Sequence, residues 1–203
     1  MSHLAIRGDL ERINLELGRL APLSDAELFD LCARNPELRI ERTREGDLIV
    51  MTPTGGETSH RNLRIAATLS AWADRDGEGV AFDSSGGFVL ANGAMRSPEA
   101  AWLRKSRLTE LRPEAKKGFL PLCPDFVVEL LSPSDRRSEL EVKMEEYRDN
   151  GALLGWLIDP DARQVVVYRP ERPVEVLDQP TRIAGEPELA GLILDLVPIW
   201  EGL

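Results

Sequence analysis

The sequence predicts one α/β domain, and three features of the chain carry that expectation. Short, nearly continuous apolar runs such as Asp125–Leu131, bounded by Pro124 and Pro133, have the length and composition of strands buried on both faces of a sheet. Other segments repeat apolar residues at i, i+3, i+4 and i+7, the period of helices that cover such a sheet. The 203 residues are of ordinary globular composition, enough for a sizeable core, and no internal repeat or low-complexity linker divides them.

Taken in order, residues 1–23 are charged and read as an N-terminal arm, with a helix expected over Asp9–Leu20 as an arm or dimer contact. Ser24 is placed to cap a helix reaching Ala33. Two strands then pair around Arg44-Glu45-Gly46-Asp47 and end near Met51. Thr54-Gly55-Gly56 opens a helix of about 19 residues whose one face carries Asn62, Ile65, Ala66, Leu69, Trp72 and Ala73. Gly79–Ser84 and Gly87–Ala91 read as strands, and Asn92-Gly93 turns the chain back through Met95 into a strand opened by Glu99. After a loop over 104–121 come the Asp125–Leu131 strand, a helix over Arg137–Asn150, a strand over Leu153–Ile158, and a turn at Asp159-Pro160-Asp161 into Val165–Tyr168.

Glu129 lies in the middle of a buried strand, where an unpaired carboxylate would cost several kcal/mol. Two readings are open: a buried ion pair, or a metal ligand or acid–base group. In the next helix Ser138 and Glu141 resemble a capping box, and Gly151 follows where a helix ends in a left-handed residue. Its inward stripe is Leu140, Lys143, Met144 and Tyr147, so Lys143 falls on the apolar side. A boundary lysine snorkelling to water is one explanation. The other is that Lys143 meets Glu129 at the strand's end, an arrangement suited to phosphodiester cleavage, with the acid on a cation and the lysine on water or developing charge. Glu99, just after Pro98, adds a second carboxylate on a neighbouring strand, as a hard divalent ion needs.

The net charge of −10 argues against indiscriminate nucleic-acid binding. Locally, Arg96, Arg104, Lys105, Arg107, Arg112, Lys116 and Lys117 outnumber Glu99, Glu110 and Glu114, which makes this segment either one wall of a nucleic-acid groove or a solvated loop face. No stretch approaches the ~18 apolar residues of a membrane span and the N-terminus lacks a signal-peptide core, so a soluble, cytoplasmic protein is expected. Cys32 and Cys123 lack metal-site spacing and read as reduced, partly buried thiols.

The runs PDFVVELLSPSD, KMEEY and NGALLGWLIDP, with PTGGETSHRN at 53–62, FDSSGGFVLANGAMRSPEAAWL at 82–103 and ELAGLILDL at 188–196, resemble the Uma-two family of putative restriction endonucleases, in the PD-(D/E)XK nuclease superfamily. The resemblance runs in order over roughly residues 24–200. It implies a restriction-endonuclease-like fold over 24–203, a mixed central sheet flanked by helices in the order helix, three strands, helix, strand, with an added N-terminal helix and β-hairpin. It also implies Glu99 and Glu129 as metal-holding acids and Lys143 as the catalytic lysine, moved to the helix from the superfamily's place two residues after the second acid, here Leu131. The sequence departs from the family at Glu99, where the family usually has Asp. Glu57 and His60, in the first turn of the helix after Gly56, are second-rank candidates, since related nucleases place an extra acid there. A helix-dipole match accounts equally for Glu57, and structural hydrogen bonding for His60. Asp125 would lie roughly 13 Å along the strand from Glu129, too far to share an ion, and reads as a strand-start hydrogen-bonding residue.

The expected function is therefore Mg²⁺- or Mn²⁺-dependent endonuclease cleavage of DNA, with Glu99 and Glu129 holding the ion and Lys143 placing water or stabilising the transition state. Many such nucleases dimerise to cut both strands, so a homo-oligomer, in the simplest case a homodimer, is expected. The competing class is a catalytically impaired nuclease-fold module used for binding or regulation; a hydrolase of small nucleotides is a third reading.

Overall fold

Pairing of the apolar runs builds two principal sheets. The computed structural model describes the backbone of residues 12–15 and residues 23–51 and 53–203. The first sheet has the order β1-β3-β2-β6-β5, from Arg12–Leu15 (β1), Leu48–Met51 (β3), Arg39–Arg42 (β2), Met95–Arg96 (β6) and Phe88–Val89 (β5). The helix expected over Asp9–Leu20 is corrected at Arg12–Leu15: the backbone there is a strand antiparallel to β3, in keeping with the period-2 alternation of R-I-N-L. The rest of that expected helix lies outside the described residues. The hairpin around Gly46 and helix α1 (Asp25–Arg34) form as expected, the latter with a complete Ser24/Glu27 capping box.

The second sheet is mixed, with the order β11-β10-β9-β8-β7-β4. Its strands are Glu175–Asp178 (β11), Gln164–Tyr168 (β10), Leu154–Asp159 (β9), Phe126–Leu130 (β8), Ala100–Arg104 (β7) and Gly79–Asp83 (β4). Strand β8 runs antiparallel to β7 and parallel to β9, and the parallel step is made through helix α4 (Arg137–Asp149). With helix α2 (Gly56–Asp76) before β4, the order is helix, three strands, helix, strand. The Gly87–Ala91 run does not join this sheet. Only Phe88–Val89 pairs, and it pairs in the first sheet.

Each face of β8 packs a different layer, because side chains alternate along a strand. Phe126, Val128 and Leu130 join Ile65, Leu69 and Trp72 of α2 in one core cluster. Val127 faces the other way, into a cluster with Leu140, Met144 and Tyr147 of α4. Burying each such side chain contributes about 1.5–3 kcal/mol, so these two clusters dominate the fold's stability and fix where α4 lies. Gly155 on β9 permits the close approach: a Cβ there would come within 2.5 Å of Met144 Cε. Gly151, at φ +105°, takes the left-handed turn after α4. The capping box expected at Ser138 and Glu141 is a correction: Ser138 lies inside α4, and Arg136 precedes the helix without a side-chain cap.

Candidate active site

The two-residue period of β8 sets Glu129 on the α4 face with Val127, and the helical stripe of α4 meets it there. Leu140, Lys143, Met144 and Tyr147 are all buried. Lys143 Nζ lies 2.8 Å from Glu129 Oε1, and Tyr147, one helical turn on, donates its hydroxyl to the same oxygen at 3.0 Å. Lys143 is only 9 % exposed, so it does not snorkel to water.

A third carboxylate, which the sequence reading missed, holds the other side of the lysine. Glu41 of β2 accepts a hydrogen bond from Lys143 Nζ at 2.8 Å and one from the Ser97 backbone amide at 3.0 Å, both on Oε1. Its Oε2 accepts from Arg96 Nη1 at 3.2 Å, and Arg96 Nε also donates to Glu146 on α4 at 2.6 Å. Register explains the Arg96 contact, since Arg42 pairs with Met95 and one further step sets Glu41 against Arg96. Every oxygen of Glu41 is thus satisfied by protein donors. An alternating polar residue in a hairpin strand is ordinarily solvent-facing, so the sequence carried no signal for it.

Glu99 reaches the site by the same geometry. Ala100 pairs with Val128, and one step beyond that pair the next residues on the two antiparallel strands are Glu99 and Glu129. Arg39 Nη1 donates to Glu99 Oε1 at 2.9 Å and Asn62 Nδ2 donates to Oε2 at 2.5 Å. Glu99 lines a cleft of about 280 Å³ with Arg39, Glu57, Arg61, Ser132 and Asp135. Glu129, Lys143 and Glu41 lie behind this cleft, outside its lining.

The remaining candidates occupy lesser places. Glu57 lines the cleft and pairs with Arg61 at 2.9 Å, while His60 Nε2 accepts from Arg64 at 3.0 Å and is not part of the lining. Asp125 caps its surroundings as expected, accepting from the Arg104 amide and from Arg107 Nη1, both at 2.8 Å. The basic segment does not wall this cleft: Arg96 is buried in the Glu41 network, and none of Arg104, Lys105, Arg107, Arg112, Lys116 or Lys117 lines it.

Charge in this cluster is unevenly held. Burial pushes the Glu129 carboxyl up to about 7 against the pull of Lys143, and Glu41 and Glu99 add repulsion. Burial acts upward on Glu41 too, but Lys143, Arg96 and the Ser97 amide hold it down at about 2. Burial also works against the Lys143 ammonium, yet Glu129 and Glu41 outweigh it and raise its pKa. Burial and the nearby Glu129 keep Tyr147 a neutral donor. An acid raised from 4.5 to about 7 in the folded state contributes stability that is full below 4.5 and lost as pH rises through 7. Glu41, lowered to about 2, acts oppositely and only below 4.5. In EDTA the protein should therefore lose on the order of 1–3 kcal/mol between about pH 5 and pH 8. Thermal melts across that range check this, and a Glu129→Gln variant that melts with the same pH slope would refute it.

The donor set suits a hard divalent cation. Asn62 Oδ1, on the amide that touches Glu99, is buried without a hydrogen-bond partner. Among the described residues no group of three or more His, Cys, Asp or Glu is arranged to hold a metal. Glu99, Glu129 and the Asn62 oxygen are of the donor types that a hard divalent cation takes, with water commonly completing its shell.

A mixed central sheet flanked by helices, with its parallel β8–β9 step made through α4, is the restriction-endonuclease-like fold that the sequence leads one to expect. A family model, Uma2, described as putative restriction endonuclease, matches residues 25–197, and the chain belongs to that family. The crystal structure of a putative nuclease of the DUF820 family from Anabaena variabilis superposes with a TM-score of 0.72 at 23% identity, covering 89% of this chain and 98% of that one. That likeness is one of fold. No curated protein matches. Among the described residues no helix is long and apolar enough to cross a membrane.

Proposed function

We propose that the protein is a divalent-metal-dependent endonuclease that hydrolyses phosphodiester bonds of DNA. The observation that carries this reading is the Lys143 ammonium held 2.8 Å from Glu129, one strand away from the cleft-lining Glu99. Membership of a family described as restriction endonucleases supports it. Glu99 and Glu129 would hold Mg²⁺ or Mn²⁺, with Asn62 Oδ1 as a neutral donor. When bound, the ion polarises the scissile phosphate and lowers the pKa of water. Lys143, fixed between Glu41 and Glu129, keeps its charge and orients the attacking water or offsets charge that develops on the phosphate. Tyr147 holds the Glu129 oxygen that Lys143 also touches, so the carboxylate keeps one orientation.

Calorimetric titration of Mn²⁺ into wild type and Glu129→Ala tests the site. Wild type is expected to show one binding event that the variant loses, with affinity rising as pH passes about 7 and Glu129 ionises. Equal binding by both proteins would remove Glu129 from the site. One observation favours the impaired-module reading: both Glu99 oxygens already accept from Arg39 and Asn62.

A further inference from the structure

We propose that Arg39 is a placeholder cation. It neutralises Glu99 while the site lacks metal, and turns its freed Nη1 to a substrate phosphate once a divalent ion takes that carboxylate. The inference rests on the metal-site reading above.

Arg39 opens β2 and lines the cleft beside Glu99. Its guanidinium is held at two points, Nη1 to Glu99 Oε1 and Nη2 to the Ser97 carbonyl, both at 2.9 Å. Its Nε is buried with no acceptor. The other cations near the carboxylates are committed elsewhere. Lys143 and Arg96 are locked on Glu41, Glu129 and Glu146, and Arg61 is pinned by the Ile199 carbonyl and Glu57. Of the two cations that pair with the proposed metal-holding carboxylates, Lys143 on Glu129 and Arg39 on Glu99, Arg39 is the one that lines the cleft.

Two cations cannot share Glu99 Oε1 at hydrogen-bonding range without strong repulsion. A divalent ion there displaces Nη1, while the Ser97 carbonyl still anchors Nη2 and keeps the guanidinium at the cleft. Nη1 is then a free N–H donor on a positively charged group at the cleft, able to meet a phosphate oxygen. The side chain is 26 % exposed although its Nε is buried, so the terminal nitrogens are the part a phosphate would meet.

Two measurements separate this from the underlying reading: calorimetry with Mn²⁺, and fluorescence anisotropy of a labelled DNA duplex in Ca²⁺. Arg39→Met is expected to bind Mn²⁺ roughly three- to tenfold more tightly than wild type, because a competitor has gone. The same variant should hold the duplex about tenfold more weakly. Arg39→Lys, which keeps the charge and so guards against a folding defect, should bind Mn²⁺ as wild type does and recover most of the duplex affinity. Mn²⁺ binding by wild type with no gain in Arg39→Met overturns the placeholder role alone. So does unchanged duplex affinity in Arg39→Met. No Mn²⁺ binding by wild type or by Arg39→Met would bring down the metal site itself, and this inference with it.

Discussion

Glu41→Gln is expected to destabilise the metal-free protein by about 3–5 kcal/mol, whereas Glu129→Gln should leave it as stable or slightly more so. Both carboxylates touch the same lysine, at 2.8 Å each, so the contrast comes from their surroundings. Glu41 is a permanent anion whose two oxygens serve Lys143, Arg96 and the Ser97 amide. Neutralising it leaves buried positive charge facing an amide. Glu129 is already pushed up to about 7 by burial and by its acidic neighbours, so a neutral isostere relieves repulsion as well as losing attraction. For a chain of this size each kcal/mol moves Tm by roughly 2–4 °C, so the Glu41 variant should melt about 6–20 °C lower. Thermal denaturation in EDTA measures both. Equal, large losses would identify Glu129 as half of a structural ion pair instead of a metal-seeking acid.

Lys143→Met is expected to lower DNA cleavage by about 10²–10⁴-fold in Mn²⁺, since it removes the charge that orients water or meets the developing phosphate charge. Plasmid nicking at low salt is the assay, with a melt of the variant confirming that it is folded at the assay temperature. The protein carries a net charge of −10, so few phosphates are neutralised on binding and cleavage should fall steeply as salt rises. Mg²⁺ should support less activity than Mn²⁺, because it demands near-ideal octahedral ligands and the longer Glu99 stands where the family usually has Asp. Glu99→Asp should narrow that gap. A Lys143→Met protein that cuts like wild type would make the lysine a purely structural cation.

The parts of this arrangement that the sequence revealed are those set by short-range periodicity. The stripe Leu140, Lys143, Met144, Tyr147 betrays its burial through a spacing of three to four residues and the run around Glu129 through its apolar continuity, and the structure buries the four helix residues and all of Phe126–Leu130. Glu41, Arg39 and Asn62 lacked any such mark. Arg39 and Glu41 sit in a hairpin strand whose charged residues look solvent-facing, and Glu41 meets Lys143 across 102 residues of sequence. Asn62 was placed on the correct face of α2 but as part of a packing stripe, because its partner Glu99 is 37 residues away. Local propensity misled at Arg12–Leu15, where a charged segment read as helix pairs with β3, and at Ser138, where a cap-like pair lies two residues too late.

The Glu41–Lys143 contact joins a strand of the first sheet to a helix packed on the second, and Arg39 reaches Glu99 across the same seam. Neither half of the chain therefore contains a working set of charges. During synthesis, β2 emerges long before Lys143, and the pocket can be wired only after both sheets have formed and docked. Long-range closures of this kind come late and together in folding. A half-made or locally frayed copy would accordingly lack the charges on which the proposed cleavage depends, which would confine that activity to the finished molecule.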